Sequence, residues 1–242
     1  MKTVIATTTW YERQNVRAQL ALKTAEEAGK KGLPMVVVDG GSYKEFAIDV
    51  TEQGAIFNIN EGLSMGASRR QAISDAWDVA GPNGAVLWME PEKWPLISQV
   101  FLMEAAMENA GADIVVPARK TMEGYPAIQQ AAERLGNMYF AKVTGHELDV
   151  WIGPRLIGPN AIQYFLDYRG EHGDRWDSIF VPIIRAIAAG LKVIGCETDY
   201  VHPAEQTAAE EAAPDMDLKR FHQLKNLVPG FYIEAKRLGL RK

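Results

Sequence analysis

The chain has one cysteine, Cys196, among its 242 residues. A single cysteine cannot form an internal disulfide, and it excludes a cysteine-rich zinc site. The sequence also lacks an uninterrupted apolar run of about 18 residues, which a membrane-spanning helix would need. The N-terminus passes directly into a β-rich stretch at 3–9, so no signal peptide is predicted. These absences predict a cytoplasmic protein without a transmembrane segment.

Positive charge is also scarce, because the formal net charge is −5. A broad basic surface for nucleic acid is therefore not expected. The residues after the first predicted strand contain no Gly-x-Gly-x-x-Gly, which argues against a nicotinamide dehydrogenase. The same stretch, Thr7 to Glu12, lacks the glycine-rich loop with Arg and Lys that is typical of nucleotidyltransferases. The hydrophobic content of 47% is sufficient for a substantial core.

Hydrophobic patterning predicts strands that alternate with helices. The predicted strands are 3–9, 33–38, 55–59, 84–89, 112–116, 149–158 and 191–196. The predicted helices are 15–28, 64–79, 96–110, 126–142, 160–168, 178–189 and 215–241, the last interrupted at Pro229-Gly230. This alternation predicts an α/β fold with a mostly parallel, Rossmann-like sheet, right-handed crossovers and flanking helices.

Two acids, Glu90 and Glu92, follow the central predicted strand, with Pro91 stiffening the turn between them. In an open α/β sheet, ligands bind beyond the carboxyl ends of the strands. Mg²⁺ commonly takes one or two carboxylates and completes its coordination with phosphate oxygens and water. The pair therefore predicts a cation or ligand site, although a solvated loop would carry acids there equally well.

Other polar residues are expected at the same sheet edge. Asp39 ends the second strand and can accept hydrogen bonds from a base or ribose, while the glycines after it let a ligand approach the backbone. Ser64 is a candidate N-cap for a helix that carries Arg69, and a helix start beside an arginine is a natural phosphate site. Each residue also has an ordinary explanation as part of a turn, cap or surface.

The order of these motifs resembles the GT-A nucleotide-sugar glycosyltransferases. The motifs are Tyr11-Glu12 after the first strand, Asp39-Gly-Gly-Ser42 after the second, Gly66-Ala-Ser-Arg69 at a helix start, and the acid pair. The sequence is most similar to the family 2-like group and its relatives that make glucosyl- or mannosyl-glycerate compounds. The resemblance implies one GT-A domain over 1–242, with a nucleotide-sugar-binding half at 1–118, an acceptor-side half at 119–212 and a helical segment at 213–242.

The resemblance also implies a function and a set of site residues. The protein would move a sugar from a nucleoside-diphosphate sugar to a small polar or lipid-linked hydroxyl acceptor, assisted by Mg²⁺ or Mn²⁺. The implied donor-binding residues are Thr9, Tyr11, Glu12, Asp39, Gly66, Arg69, Glu90 and Arg119. The implied metal ligands are Glu90, Glu92 and His202. The implied acceptor contacts are Trp151, Gly153 and Arg155, of which Arg155 suits a carboxylate or phosphate. The implied catalytic acids are Asp177 and, second, Asp174. The acid would be the base for the acceptor hydroxyl in an inverting enzyme, or would help to position the acceptor or donor sugar in a retaining one.

Two departures from the family pattern keep an alternative open. Gly40 stands where the family usually has a second Asp, and Glu-x-Glu replaces Asp-x-Asp. The alternative is a nucleotide-sugar-binding or assembly protein with weak or no turnover. Asp177 could also serve only as a helix N-cap, and His202 could be a structural histidine. The last helix is expected to pack on the sheet or on a second copy in a homodimer, with contact to a membrane surface as the alternative.

Overall fold

The computed structural model describes residues 1–240, so Arg241, the end of the last predicted helix, lies outside the described part. The strands are β1 Thr3–Thr9, β2 Met35–Asp39, β3 Ile56–Ile59, β4 Ala85–Trp88, β5 Ile114–Arg119, β6 Arg155–Ile157 and β7 Val193–Thr198. The first helices are α1 Val16–Lys30, α2 Lys44–Glu52, α3 Met65–Ala80, α4 Val100–Ala110 and α5 Ala127–Thr144. The remaining helices are α6 Ile162–Leu166, α7 Val181–Ala188, α8 Ala204–Ala212 and α9 Met216–Arg237.

The strands form one sheet in the order β3-β2-β1-β4-β6-β5-β7. Every pairing is parallel except those of β6, which runs antiparallel to both β4 and β5. The predicted α/β fold with a mostly parallel sheet is therefore confirmed. The predicted strand at 149–158 is too long, because Val150–Ile152 forms a 3₁₀ turn and Gly153, with φ +104°, redirects the chain into β6.

The inner strands are mostly apolar and almost entirely buried because helices cover both faces of the sheet. Neighbouring residues of β1 alternate between two cores: Val4 packs in the cluster that contains Ile73 and Phe231, whereas Ile5 packs in the one that contains Phe46. Burial on both faces is typical of parallel strands, and it explains why their sequences are continuous apolar runs.

Helices α2 and α8 were not predicted from the sequence, and each omission has a physical reason. Helix α2 buries only two apolar residues, Phe46 and Val50, so its periodic signal is short. Helix α8 turns Gln206 and Glu210 inward, and apolar periodicity cannot detect a helix that buries polar groups. The predicted interruption of α9 was wrong, since the helix continues through Pro229. None of the helices in residues 1–240 is long and apolar enough to cross a membrane.

Helix α9 is anchored through a buried carboxylate near its C-terminal end. The oxygens of Glu234 lie 2.6 Å from Arg185 Nε, 2.6 Å from Arg237 Nη2 and 3.3 Å from His172 Nε2. Burial alone would raise the pKa of Glu234, but the hydrogen bonds from Arg237, Arg185 and His172 outweigh it and lower the pKa from 4.5 to about 2. The ionised carboxylate therefore holds α9 against α7 and the loop that precedes it.

We expect Glu234→Gln to reduce the free energy of unfolding at neutral pH by about 3 kcal/mol, which is the pKa difference expressed as energy. A carboxyl whose pKa is lowered by folding stabilises the native state above its unfolded pKa. That stabilisation is lost as the pH falls from 4.5 to about 2. Urea unfolding at several pH values should therefore show that the difference in unfolding free energy between wild type and variant becomes smaller in acid. The exposed Glu211→Gln is the control, and a pH-independent gap would contradict the assignment.

Candidate functional site

A cavity of about 250 Å³ lies at the carboxyl ends of the strands, where the sequence predicted a site. Its walls come from the segment after β4, the start of α3, the 3₁₀ turn before β6, the segment after β7, and helices α1, α5, α8 and α9. Its charged lining residues are Arg17, Arg69, Glu90, Glu92, Lys93, Glu133, His202, Glu210, Lys219 and Arg220. Acids and bases are thus both concentrated in one partly enclosed space.

Glu90 enters this cavity directly from the end of β4. Its carboxylate lies against Gly153, where an added Cβ would overlap both carboxylate oxygens. Gly153 also has φ +104°, a conformation that favours glycine. Glu90 Oε2 is buried and has no hydrogen-bond partner in the structure. This carboxylate therefore retains an oxygen that can bind a ligand.

Glu92 lies in the same wall but is already paired. Arg17 Nη1 of α1 is 3.3 Å from Glu92 Oε1, and Arg17 Nη2 is 2.9 Å from Glu210 Oε1 of α8. Burial raises the pKa of Glu92, while the charge of Arg17 opposes the shift. The guanidinium thus bridges two carboxylates from opposite walls of the cavity.

His202 is held in a defined orientation. Its Nε2 lies 3.2 Å from Glu210 Oε2, and its ring stacks on Tyr125 with centroids 4.0 Å apart. Burial lowers the pKa of His202, which favours the neutral imidazole. If Nε2 carries the proton donated to Glu210, the lone pair is at Nδ1, which is buried without a partner. Histidines that bind metals are usually held by a carboxylate in this way.

The three predicted metal ligands therefore line one cavity without forming a complete protein site. Residues 1–240 contain no group of three or more His, Cys, Asp or Glu side chains placed to hold a metal ion. The donor atoms without partners are Glu90 Oε2 and His202 Nδ1. This donor set fits Mg²⁺ or Mn²⁺ only when a ligand supplies further oxygens, which is the usual coordination of Mg²⁺ with phosphates.

Two of the three predicted acceptor contacts lie in the cavity wall. Trp151 and Gly153 line it, and the indole Nε1 of Trp151 has no hydrogen-bond partner. Gly136 leaves room for this indole, because a Cβ there would overlap the ring. Arg155 is fully buried instead and donates to the carbonyl oxygens of Pro154 and Val150. It therefore supports the turn that presents Trp151 and Gly153 rather than lining the cavity.

The predicted nucleoside edge is held together by Asp39. Its carboxylate accepts hydrogen bonds from Thr9 Oγ1 at 2.6 Å, Gly41 N at 2.9 Å, and Ser42 N and Oγ at 2.6 and 2.5 Å. All four donors belong to the protein itself: one is at the end of β1 and three are in the loop after β2. Asp39 and Thr9 are thus brought together as predicted, but in this structure their polar groups fix the loop at the ends of β1 and β2.

The residues after β1 differ in accessibility. The Tyr11 ring packs edge-on against Phe46, and its buried hydroxyl has no partner. Glu12 is exposed to solvent. Trp10, which the sequence analysis passed over, is 64% exposed and lies beside Gly40. An exposed indole beside a glycine turn provides a flat surface next to the predicted nucleoside edge.

The two predicted phosphate-side arginines have different surroundings. Arg69 lines the cavity, donates to the Arg175 carbonyl at 2.9 Å, and keeps a buried Nε without a partner. Arg119 lies outside the lining and is bound by Asp149, 2.6 Å from its Nη2, and by Glu133, 2.5 Å from its Nη1. Burial opposes the charge of Arg119, but these partners raise its pKa. Arg69 is therefore the better placed of the two to meet a ligand.

The predicted catalytic acids lie in the loop before α7 and outside the cavity lining. Asp177 accepts hydrogen bonds from Tyr168 Oη, Asp174 N at 3.1 Å and Arg175 N at 2.7 Å. The Asp174 carboxylate pairs with Arg70 at 2.5 Å, and the hydrogen bond from Arg70 lowers its pKa despite partial burial. The two acids thus hold the fold of this loop.

Gly66, predicted as a donor contact, packs against the same loop. Its amide donates to the Asp174 carbonyl at 2.9 Å, and a Cβ at Gly66 would overlap Asp174. The close backbone approach that this glycine permits is therefore between α3 and the protein's own loop.

Sequence reasoning missed the part of the site contributed by the helices. The missed lining residues on helices include Arg17, Glu210, Lys219 and Arg220. In α9, positions 219, 220, 223 and 227 share one helical face, so this face could have been found as a polar stripe facing inward.

Comparison with known proteins places the fold. No protein-family model matches the sequence, and no curated protein matches it. Solved structures of glucosyl-3-phosphoglycerate synthase from Mycobacterium tuberculosis do match. Its complex with Mn²⁺, UDP and phosphoglyceric acid gives a TM-score of 0.59 at 11% identity, over 93% of this chain and 78% of that chain. Its complex with Mn²⁺, UDP-glucose and phosphoglyceric acid gives a TM-score of 0.59 at 12% identity, over 100% of this chain and 81% of that chain. The chain therefore has the fold of GT-A nucleotide-sugar glycosyltransferases, and the resemblance seen in its motifs is confirmed at the level of fold.

We expect Asp177→Asn to lower the free energy of unfolding by about 1–3 kcal/mol, because it weakens three hydrogen bonds to a buried carboxylate that fix the loop. Denaturant unfolding would measure this loss. Asp78→Asn, an exposed change on α3, is the matched control and should have little effect. Unchanged stability in Asp177→Asn together with lost sugar transfer would instead favour a role as catalytic base.

Proposed function

We propose that this protein is a glycosyltransferase that moves a sugar from a nucleoside-diphosphate sugar to a hydroxyl acceptor. The proposal rests on one observation: Arg69, Glu90, Trp151, Gly153 and His202, which the motifs and their family resemblance indicated from distant parts of the sequence, line a single cavity. That cavity lies at the carboxyl edge of a sheet with the GT-A fold. UDP and UDP-glucose are bound in the solved structures of similar fold, so a UDP-sugar is the first donor to test.

The chemistry requires the leaving diphosphate to be stabilised as its bond to the sugar breaks. Arg69, from the motif at the start of α3, and Lys93, directly after the acid pair, both line the cavity. The unpartnered Nε of Arg69 can donate to a phosphate oxygen. Trp151 is also in the cavity wall, where its apolar ring would contact the sugar, while its Nε1 lies next to Gly136.

A divalent ion is also part of the proposal. Mn²⁺ or Mg²⁺ is present in solved complexes of the neighbours. Here Glu90, Glu92 and His202 would hold it together with diphosphate oxygens, and the ion would neutralise the developing negative charge. Glu210 serves this arrangement by fixing the His202 ring through Nε2.

The acceptor must lose a proton during transfer. Asp177 and Asp174 are the bases proposed from sequence, and both are engaged by their own loop. A base role for either would therefore require this loop to rearrange when substrate binds. The cytoplasmic location, the lipid-linked acceptor and the homodimer also stay sequence-based predictions.

The second candidate function is a nucleotide-sugar-binding or assembly protein with weak or no turnover. One observation favours it: two predicted metal ligands are already paired, Glu92 with Arg17 and His202 with Glu210. In such a protein the ion pairs would persist when the nucleotide binds.

Thermal unfolding with UDP, GDP, ADP and their sugar conjugates, each with Mn²⁺, Mg²⁺ or EDTA, tests the donor site. A ligand present at 100 times its dissociation constant stabilises the native state by roughly 2.7 kcal/mol. We expect stabilisation by one nucleotide, strengthened by metal and lost in Glu90→Gln. Glu52→Gln, an exposed change on α2, should respond as wild type does.

Release of sugar from the stabilising donor then separates the two candidate functions. Turnover with a hydroxyl acceptor or with water supports the transferase. Binding without turnover supports the binding protein, and no stabilisation by any nucleotide would refute both.

A further inference from the structure

Helices α1 and α9 bring a group of three cations to one side of the cavity. Arg17 comes from α1, and Lys219 and Arg220 come from the first turns of α9. Gln223, one turn further along α9, lines the same wall. No motif in the sequence assigned these residues to a site.

The nearby acids do not satisfy all three cations. Arg17 contacts both Glu92 and Glu210, at 3.3 and 2.9 Å. The closest contact of Arg220 with an acid is longer, 3.8 Å to Glu210. Within residues 1–240, Lys219 has no carboxylate within 4.0 Å. Among the residues described, only two carboxylates, Glu92 and Glu210, lie within 4.0 Å of this group, and the third acid that acts on Arg220, Glu133, is itself paired with Arg119.

Polar atoms around these cations are also left without partners. Arg220 is only 8% exposed, and its Nε is buried with no hydrogen-bond partner. Gln206 Oε1 in the adjoining wall is also buried without a partner, but it is an acceptor and would face a hydroxyl or another donor of the ligand. A buried donor without a partner is costly unless a ligand or water satisfies it. The unpaired Nε of Arg220 therefore indicates a ligand that carries acceptor oxygens.

The surroundings of Lys219 point the same way. Burial, followed by the charges of Arg17 and Arg220, lowers the pKa of Lys219 to about 8, while Glu210 and Glu92 act in the opposite direction. These four groups, from α1, α9, α8 and the segment after β4, are the charges that face it. A bound anion would relieve the repulsion among the three cations.

We propose that Arg17, Lys219 and Arg220 form an anion-binding subsite that takes a phosphate or carboxylate group of a substrate. The place of this subsite in the reaction rests on the proposed function. The anion is then either the diphosphate of the donor or an acidic group of the acceptor. The subsite also replaces Arg155 as the cationic contact for such a group, because Arg155 is fully buried and bound to backbone carbonyls.

Binding of inorganic phosphate, measured by calorimetry, tests the subsite without any turnover. We expect Lys219→Gln to weaken phosphate binding by about tenfold or more, since it removes a charge-assisted contact. Lys219→Arg should retain most of the affinity. Lys236→Gln, an exposed change on the same helix, should bind as wild type does. Equal phosphate affinity in wild type and Lys219→Gln, with both proteins folded by thermal unfolding, would overturn the proposal.

Two further measurements identify the source of the anion. Weaker UDP binding in Lys219→Gln assigns the subsite to the donor diphosphate. A raised KM for a phosphorylated or carboxylated acceptor, relative to its neutral counterpart, assigns it to the acceptor. If neither the affinity for UDP nor the KM for a charged acceptor changes in Lys219→Gln, no substrate anion binds at the subsite, and the proposal fails.

Failure of the proposed function remains distinguishable from failure of the subsite. Phosphate binding that depends on Lys219, without stabilisation by any nucleotide, would retain the subsite and refute the transferase. Donor turnover, together with phosphate binding that Lys219→Gln leaves unchanged, would support the transferase and refute the subsite.

Discussion

The arrangement of the cavity depends on the buried carboxylate of Glu210, which joins segments that are far apart in the chain. It lies 2.9 Å from Arg17 of α1, 3.2 Å from His202 after β7 and 3.8 Å from Arg220 of α9. Burial alone would raise its pKa, but its partners, His202 first, lower the pKa to about 2. A buried charge is tolerated only with such partners. The same group therefore fixes three walls of the cavity relative to one another.

Much of the fold could be predicted because parallel strands buried on both faces appear as continuous apolar runs. Val36–Val38 and Ala85–Trp88 are such runs, and the acids after β4 follow from the rule that ligands bind at strand ends. Helix α8 could not be predicted in the same way, because its buried side chains, Gln206 and Glu210, are polar. Hydrophobic periodicity reveals a buried helix face only where the buried side chains are apolar.

The pairings within the site could not be predicted from local sequence. Arg17 and Glu210 are 193 residues apart, and nothing near either one specifies the other. Asp39 and Asp177 carry the residue type that ligand binding requires, yet both oxygens of each accept hydrogen bonds from the protein itself. Residue type and strand-end position therefore indicate where a site lies. Which polar groups remain available depends on tertiary contacts.

These contacts also link Glu92, a predicted metal ligand, to the proposed anion subsite. Arg17 is shared, because its guanidinium contacts Glu92 on one side and Glu210 on the other, next to Lys219 and Arg220. A substrate anion that draws Arg17 toward α9 would weaken its pairing with Glu92. Because burial raises the pKa of Glu92 and Arg17 opposes that rise, Glu92 would then take up a proton unless a cation replaced Arg17 beside it. In the proposed reaction, anion binding and metal binding would thus strengthen each other through one arginine.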